Sequence, residues 1–425
     1  MGLPRLLLVT RHTPLSWEDG AGAYTHDLMT HAAEHGWEVH VLWLSPHPHI
    51  QWQGVWRLPE AWSPQIRLHA PGAWSFRRHL VFPAIYWQPR LARAKFRIKS
   101  ALQALRLWPR QPSPTSAKLA AQPARPFEPW MRPPSAAELA ATSRVLRRIR
   151  PDTVFANFAW MAPVFDLPEC RGARRFCIAH DVAWRKAVEL ARSADPREGY
   201  VTAKQETDWL RRSDTILAIT ESDAAEFRRL VPERTVVTVP WARPVAATGP
   251  LQSNDSRILF VGSGNSLNRE GLEWFLAEIW PAVRSAAPEV VLEVCGSVDR
   301  VVTARPAGVI FTGTIPNLAA AYARATCAVL PMLGGTGLNI KLVEAAAAGC
   351  ACVTTPVALR GAPELAPGCV VAESARDFAA AVAALLSNPA RRATLQAAAR
   401  EAAARFYSPQ RCYSPLSEAL AAPRA

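Results

Sequence analysis

The sequence predicts an α/β protein made of two tandem, doubly wound domains. Short apolar segments with strand character alternate with helical segments in both halves of the chain, a pattern typical of parallel sheets covered by helices on both faces. The alternation stops in the polar, Pro- and Gly-containing segment 242–255 and then starts again. A length of 425 residues also exceeds what one hydrophobic core usually serves.

The first half of the chain begins with a buried strand. An unbroken apolar run predicts this strand at Arg5–Thr10, and the helix expected over 23–34 is followed by Gly36, a residue typical of helix ends. A second strand is predicted at 38–44. Further along, we predict a helix at 136–148, strands at 153–157, 175–179, 215–219 and 236–240, and a helix at 222–229 with Ser222 as its cap.

The second half repeats the alternation. We predict strands at 257–262, 290–295, 308–312, 326–331, 350–354 and 369–372, with Ala-rich helices at 377–386 and 390–406 finishing the pattern. The predicted organisation is a first domain over 1–245 with an insertion at about 50–135, a second domain over 256–405 and a C-terminal tail over 406–425. Ligands of such sheets bind at the carboxyl ends of the strands, so both domains would face a shared cleft.

The composition is that of a globular protein whose positive charge is concentrated in one segment. The formal net charge is +14, and residues 51–135 hold fourteen Arg and Lys and seven Trp against two Glu. The eight cysteines form no CxxC pair, so neither zinc nor a redox pair is indicated. No apolar run is long enough to span a membrane, and the start MGLPRLLLVT is too short for a signal peptide. We therefore expect a cytoplasmic protein with reduced, buried thiols.

Residues 331–356, PMLGGTGLNIKLVEAAAAGCACVTTP, carry the strongest functional signal. An apolar strand runs into a glycine-rich turn, and the turn opens a helix with Lys341 and Glu344. The first N–H groups of a helix have no intrahelical partner, so this turn suits an anion, and Lys341 adds positive charge. Glu344 is placed to accept hydrogen bonds from sugar hydroxyls, and a phosphate beside a ribose describes a nucleotide. An ordinary βαβ unit with a Gly-rich loop would show the same pattern.

Seven blocks of the chain share their order and spacing with a known family. They are LLLVTRHTPLSWEDGAGAYTHDLMTHAAEHGWEVHVLWL, RIRPDTVFAN, CIAHDVAWR, RSDTILAITESDAAEF, FVGSGNSLNREGLEWF, GVIFTGTIPNLAAAYARATCAVLP and GGTGLNIKLVEAAAAGCACVTT. In these blocks the chain resembles glycosyltransferases of the GT-B fold, and most of all glycosyltransferase family 4. The last block is the most specific one, whereas residues 45–135 match no block of the family.

The resemblance implies two Rossmann-like domains and a retaining, metal-independent transferase without a cofactor. Such enzymes bind a nucleotide-diphosphate sugar between the domains, mostly on the second, and pass the sugar to an acceptor held by the first. Breaking the glycosidic bond builds negative charge on the diphosphate, which fixed donors in a dry cleft must stabilise. The implied partners are the nucleotide sugar and a glycan or lipid-linked acceptor.

On the donor side, the resemblance assigns the ribose hydroxyls to Glu344, although the same residue would also suit a plain helix surface. The family often has a second glutamate eight residues earlier, where this chain has Thr336, and this departure leaves the donor sugar open. Lys341 either neutralises the diphosphate or only extends into solvent. The expected backbone contacts to the donor come from Thr336, Gly337, Leu338 and Asn339.

Two further glycine loops follow the first strand of each domain. In the second domain, VGSGNSLNREG is an imperfect match to the family block and offers Gly262, Asn265 and Arg269 as donor contacts. Arg269 either binds phosphate or faces water from a helix start. In the first domain, DGAGAY places Gly20 and Gly22 where backbone N–H groups approach the phosphates or the transferred sugar. A GxG on its own is weak support.

His180 and Asp181 close the apolar run CIAHD and are the predicted catalytic pair. The family has a histidine at this block that faces the donor sugar, while an isolated histidine at a strand end is often structural. We expect His180 to hydrogen-bond the sugar or the acceptor rather than to act as a nucleophile. No pair of carboxylates is spaced for a glycosidase-like nucleophile.

The basic, Trp-rich insertion has three interpretations. Residues 90–108 place apolar side chains on one helical face with arginines elsewhere, and such a basic amphipathic helix suits an anionic membrane surface. We favour this contact for residues 77–110, which would make the protein peripheral to the membrane. The alternatives are a helix that packs on the first domain and a nucleic-acid contact, although no nucleic-acid-binding motif accompanies the charge.

The predicted activity is therefore sugar transfer from a nucleotide-diphosphate sugar. A GT-B fold also suits a sugar-nucleotide epimerase, but the second domain shows no carboxylate pair or histidine for that chemistry. A third alternative is a non-catalytic module that binds anionic surfaces through a decayed donor site. The missing first glutamate and the imperfect Arg269 block keep that alternative open.

The membrane interpretation predicts that the full chain floats with anionic liposomes and that a form without residues 77–135 does not. The reason is that this segment holds nearly all of the excess positive charge. Flotation on a density gradient measures the bound fraction of both forms. Equal flotation of the two forms would contradict the membrane interpretation.

Overall fold

Two parallel β-sheets covered by helices form the two domains in the computed structural model, which confirms the predicted α/β fold. The structure describes residues 2–12, 20–44, 55–58, 62–76, 79–82, 131–192, 201–245, 256–315 and 317–423. Statements about the structure refer to these residues.

The first domain is built on a seven-stranded sheet in which every pairing is parallel. Its chain contributes the strands β1 (Arg5–Thr10), β2 (Glu38–Trp43), β3 (Val55–Arg57), β4 (Ile66–His69), β5 (Trp74–Phe76), β6 (His79–Val81), β7 (Thr153–Asn157), β8 (Arg174–Ala179), β9 (Thr215–Ala218) and β10 (Thr235–Thr238). The order across the sheet is β10-β9-β8-β7-β1-β2-β4. The strands β3, β6 and β5 form a separate antiparallel sheet, which the sequence analysis did not predict.

Five described helices accompany this sheet. They are α1 (Gly20–Glu34), α2 (Ala136–Ile149), α3 (Ala183–Arg192), α4 (Ala203–Leu210) and α5 (Glu221–Leu230). The prediction that Ser222 caps the last of these is wrong, because the helix already begins at Glu221. Its cap is Thr220, whose hydroxyl accepts a hydrogen bond from the backbone N–H of Asp223 at 3.0 Å.

The second domain repeats the architecture with a six-stranded parallel sheet. Its strands are β11 (Arg257–Val261), β12 (Val291–Cys295), β13 (Val309–Gly313), β14 (Cys327–Leu330), β15 (Cys352–Thr354) and β16 (Cys369–Val371), in the order β13-β12-β11-β14-β15-β16. The described helices are α6 (Ser266–Trp274), α7 (Trp280–Ala286), α8 (Leu318–Arg324), α9 (Ile340–Ala347), α10 (Pro356–Leu359), α11 (Ala375–Ser387), α12 (Pro389–Phe406) and α13 (Pro409–Ala421).

Burial explains why the apolar runs form central strands. The side chains of Leu6, Leu7, Leu8 and Val9 are all inaccessible to solvent, so both faces of β1 lie inside the domain. A parallel sheet covered on both faces requires such an unbroken apolar strand rather than an alternating one. All eight cysteines are free thiols, and burial raises the pKa of Cys327 to about 12.

The prediction of a C-terminal tail over 406–425 is wrong, because most of this segment forms a helix. Residues Pro409–Ala421 form the helix α13, which returns from the second domain and contacts α1 and β10 of the first. Proline at the first helical turn is compatible with a helix. The buried side chains of Leu416 and Leu420 hold it in place, and the Arg174 guanidinium donates to the carbonyl oxygens of Ala419 and Ala422 at 3.0 and 2.8 Å.

The basic helix predicted over 90–108 lies outside the described residues, and so does most of the insertion. The strands of the insertion that the structure describes are β4, which belongs to the large sheet, and β3, β5 and β6, which form the small sheet. Trp74, in β5, is the most exposed large apolar side chain among the described residues. The membrane contact therefore stays a prediction.

Candidate functional site

A cleft of about 1400 Å³ lies between the two domains, at the carboxyl ends of both sheets. In the second sheet, the loops after β11 and β14 reach it, and these neighbouring strands are where the strand order reverses. Open α/β sheets bind ligands at such a point. The predicted site residues that line the cleft are Gly20, His180, Asp181, Gly262, Asn265, Thr336, Gly337, Leu338, Asn339, Lys341 and Glu344.

Two predicted residues do not line the cleft. Gly22 is buried within the first turn of α1, so Gly20 alone of that pair faces the cleft. Arg269 lies one residue past Asn268 in α6, and successive residues of a helix point about 100° apart. The first-turn residues Ser266, Leu267 and Asn268 line the cleft, and Arg269 does not.

Two helix starts meet in the cleft, one from each domain. The helix α1 begins at Gly20 and α9 begins at Ile340, and a Cβ on Gly20 would lie only 2.6 Å from Cδ1 of Ile340. Neither helix has an acidic residue in its first turn. The cap of α9, Asn339, makes no capping hydrogen bond, and its buried Oδ1 has no hydrogen-bond partner. The two helix dipoles and the uncapped start of α9 therefore make this part of the cleft electropositive.

Lys341 lies on the wall of the cleft. The alternative prediction, that Lys341 only extends into solvent from the helix, is therefore wrong. Its Nζ donates a hydrogen bond to Oδ1 of Asn268 and lies 3.7 Å from Sδ of Met332. Burial lowers the pKa of Lys341 to about 8, and the nearby Glu344 carboxylate opposes this shift. A lysine in this state gains from any anion that enters the cleft.

Glu344 faces the cleft one turn further along α9. Its Oε1 lies 3.4 Å from Nη2 of Arg243, whose guanidinium stacks 4.1 Å above the Trp241 ring and lies 3.7 Å from Oδ2 of Asp27. Burial raises the pKa of Glu344 despite the attraction of Arg243. Arg243 was not predicted as a site residue. It lies in the segment 242–255 between the two predicted domains, where no local pattern distinguishes it.

His180 is buried where three adjacent strands of the first sheet end. Its Nε2 lies 2.6 Å from Oδ1 of Asn157, whose Nδ2 donates to Oγ1 of Thr10 at 2.9 Å. Since Oδ1 accepts, Nε2 carries the hydrogen. The ring also contacts Phe158 and Tyr24 at centroid distances of 4.2 and 5.4 Å. These contacts fix the orientation of the imidazole at the cleft.

Asp181 joins the first domain to the glycine-rich loop of the second. Its Oδ2 pairs with Nζ of Lys186 at 2.7 Å, and its Oδ1 accepts from the Thr336 hydroxyl at 3.3 Å. Gly337 adopts φ +70°, and a Cβ there would lie 2.5 Å from the same Oδ1. A glycine is therefore needed at this position for its backbone conformation and for space.

Glu189 makes a second contact between the domains that the sequence analysis missed. Its Oε2 accepts from the backbone N–H of Gly335 at 2.7 Å, and its Oε1 lies 3.3 Å from Nη1 of Arg360. The glycine-rich loop thus contacts two carboxylates of the first domain. The contact could not be read from sequence, because Glu189 lies on a helix of the other domain.

Within the described part of the chain, no group of three or more His, Cys, Asp or Glu side chains is placed to hold a metal ion. The charged groups that line the cleft include the ion pairs Lys186–Asp181 and Arg243–Glu344 as well as Lys341.

The space around Gly337 gives a test of the domain contact. We expect Gly337→Ala to lower the free energy of unfolding by about 2–4 kcal/mol, through the left-handed backbone and the clash with Asp181. Gly72→Ala is the matched control, because Gly72 has φ +72° and nothing within 4 Å of an added Cβ. Denaturant unfolding measures both. Equal losses in the two variants would show that the clash with Asp181 has no effect.

The second domain matches a known protein family. Residues 255–388 match the family model described as Glycosyl transferases group 1. That segment contains the loops after β11 and β14 and the whole of α9. A search of curated protein sequences gives no match to this chain.

The whole chain is similar in fold to solved GT-B structures. Sucrose-phosphate synthase of Thermosynechococcus elongatus superposes with a TM-score of 0.67 at 15% identity, covering 98% of each chain. HepE of Anabaena, solved with UDP and glucose, gives 0.63 at 11% identity and covers 99% of this chain and 100% of its own. The lipopolysaccharide outer core galactosyltransferase WaaB gives 0.54 at 12% identity and covers 98% and 99%. At these identities the likeness concerns the fold. The second domain is thus similar to glycosyl transferases group 1, and the whole chain shares the two-domain fold of these solved structures.

Proposed function

We propose that this enzyme transfers a sugar from a nucleoside-diphosphate sugar to a hydroxyl group of an acceptor in the cleft. The observation that carries the proposal is the meeting of two helix starts beside Lys341, with Glu344 one turn along the same helix. A diphosphate is the anion that suits two adjacent positive helix ends. HepE, which shares the fold, was solved with UDP and glucose, and this supports the same donor class.

The nucleotide half of the donor would lie along α9. The diphosphate would accept hydrogen bonds from the N–H groups at Leu338 and Asn339, with the Lys341 ammonium close by. The ribose hydroxyls would then reach the Glu344 carboxylate, which Arg243 keeps oriented toward the cleft at 3.4 Å. A carboxylate accepts hydrogen bonds from two neighbouring hydroxyls well, because it has two oxygens and no hydrogen of its own.

The sugar half of the donor would lie toward the first domain, between His180 and the glycine-rich loop. Thr336 stands where the resembling family often has a glutamate, so the sugar meets a hydroxyl and the Asp181 carboxylate bound to it. His180 is held by Asn157 and does not need to move to contact the sugar. The identity of the sugar would therefore be read by residues of both domains.

The transfer itself would proceed with retention and without a metal, as the resemblance implies. The bond between the anomeric carbon and the diphosphate oxygen breaks, and the acceptor oxygen forms the new bond on the same face. The proton of the acceptor hydroxyl passes to the departing diphosphate. The helix starts and Lys341 stabilise the charge that develops on the leaving group, which is the largest demand of the reaction.

The acceptor would be a glycan or a lipid-linked glycan precursor that reaches the cleft from the first domain. We place the enzyme in the cytoplasm, at the inner face of the membrane, with residues 77–110 as the contact. Those residues lie almost wholly outside the described part of the chain. Among the described helices, none is both long enough and apolar enough to cross a bilayer.

The test of this function is an assay with uridine, guanosine and adenosine diphosphate sugars in the presence of EDTA. We expect slow release of the nucleotide from one of these donors by transfer to water, and the nuclear magnetic resonance spectrum of the released sugar gives its anomeric configuration. Release from none of them, either with EDTA or with an added divalent metal and with the chain folded, would contradict the proposal. Activity that depends on an added divalent metal would contradict the metal-independent route alone.

Replacing Glu344 by alanine should weaken binding of the matching nucleoside diphosphate by about 1–3 kcal/mol, because its hydrogen bonds to the ribose are lost. Isothermal titration calorimetry measures the affinity. Glu273→Ala is the control, since Glu273 is an exposed helix glutamate outside the cleft. Unchanged affinity of the Glu344 variant would remove this residue from the site.

The affinity for the nucleoside diphosphate should fall as the pH rises above about 8, because Lys341 then loses its proton. The lysine is charged below its pKa and neutral above it, while the terminal phosphate is already ionised above pH 7. We expect a loss of about tenfold in the wild type. The Lys341→Met variant should bind weakly at all pH values between 7.5 and 10. A pH profile that is the same in both proteins would show that Lys341 does not meet the diphosphate.

A further inference from the structure

A second pocket, of about 300 Å³, lies beside the main cleft. It is bounded by α3, by the start of α5 and by the glycine-rich loop of the second domain. Gly335, Thr336 and Gly337 line both cavities, so this loop is the wall between them. A molecule in the small pocket would therefore lie against the part of the loop that borders the proposed position of the donor sugar.

The charged side chains of this pocket already have partners. Arg360 lies 3.3 Å from Glu189, and Arg185 pairs with Glu226 at 2.7 Å. A phosphate entering the pocket would have to break one of these ion pairs and would also meet the Asp223 carboxyl group. The pocket is therefore unsuited to an anion, in contrast to the main cleft.

The remaining lining combines apolar and hydrogen-bonding surface. The Trp184 ring and the half-exposed Val188 provide apolar contact, while Ser222 and Asp223 provide a hydroxyl and a carboxyl group. The Thr220 hydroxyl also lines the pocket, but it already donates to Oδ2 of Asp223 at 2.6 Å. Burial raises the pKa of Asp223 to about 7, so this carboxyl group is present in both its donor and its acceptor forms near neutral pH. Sugar rings present C–H faces and hydroxyl edges, and such mixed pockets suit them.

We propose that this pocket binds a neutral sugar unit of the acceptor, next to the unit whose hydroxyl group reacts in the main cleft. The inference rests on the proposed function, because that function places the donor sugar on the other side of the same loop. Trp184 and Val188 hold the ring of the acceptor sugar, and the polar groups at the start of α5 meet its hydroxyls. The part of the acceptor that enters this pocket carries no phosphate.

The test blocks the pocket without touching the main cleft. Val188 lines the pocket and is 48% exposed, so Val188→Trp fills the pocket with little cost in folding. Val371→Trp is the matched control, because Val371 is 45% exposed on the edge strand β16, away from both cavities. Circular dichroism confirms that both variants are folded.

The probes are the methyl glycosides of glucose, galactose, mannose and N-acetylglucosamine, added to the full chain together with the nucleoside diphosphate. Saturation-transfer nuclear magnetic resonance measures their binding, and calorimetry measures that of the nucleotide. We expect Val188→Trp to weaken binding of at least one glycoside tenfold or more, while Val371→Trp leaves it unchanged. Nucleotide affinity should stay within twofold of the wild type in both variants.

The outcomes separate this inference from the proposed function. If the nucleotide binds but no glycoside does, or if Val188→Trp leaves glycoside binding unchanged, the pocket assignment is overturned and the proposed function stands. If inorganic phosphate binds and Val188→Trp abolishes that binding, the pocket is an anion site and the neutral-sugar assignment is wrong. If no nucleoside diphosphate binds the folded wild type, the proposed function itself fails, and the inference fails with it.

Discussion

The approach of two helix starts across the cleft is the constraint on which the rest of the site depends. Each helix start carries about half a positive elementary charge, and Gly20 lies so close to Ile340 that a larger residue would push this side chain aside. Two like partial charges at this distance repel each other, and Lys341 adds a full charge nearby. An anion between them removes the repulsion, so the fold is more stable when the cleft is occupied by one.

The contacts that the glycine-rich loop makes with the first domain are polar. Asp181 and Glu189 bind the glycine-rich loop through hydrogen bonds of 3.3 and 2.7 Å, and Arg360 adds a partly exposed ion pair with Glu189. Such contacts contribute about 0.5–1.5 kcal/mol each, and exposed ion pairs contribute less. Their sum is no larger than the binding free energy of a nucleotide. A ligand that contacts both domains is therefore able to decide how firmly the cleft is closed.

The sequence predicted the sheets well, because the information for a buried parallel strand is local. The strand predictions for β1 and β7 are confirmed to the residue, and the other central strands differ by one or two residues at their ends. The prediction failed at the end of the chain, where Pro409 begins a helix rather than a tail. The predicted helix ends were also less accurate. Thr220 and Ser222 are only two residues apart and both carry a hydroxyl group, so the sequence does not show which of them is the cap.

The sequence predicted the site residues that lie close together within one domain, but not the contacts between the two domains. Lys341 and Glu344 follow from a strand, a glycine turn and a helix that are adjacent in sequence, and both residues face the cleft. Asn268 was not predicted, because neighbouring residues of a helix point about 100° apart and the sequence does not show whether Asn268 or Arg269 faces the cleft. Arg243 and Glu189 were missed because their roles depend on how two separately folded domains meet.

Arg243 also shows where the two domains are joined. Its backbone N–H donates to the carbonyl oxygen of Tyr407 at 3.0 Å, so the two segments that cross between the domains lie side by side at this point. A rotation of one domain against the other about this point would displace Arg243 and Glu344 little. The same rotation would displace Asp181 from the glycine-rich loop much more, because that contact lies farther from the crossing. The proposed ribose contact thus lies near the axis of any such movement, and the proposed sugar contact lies where movement would open the cleft.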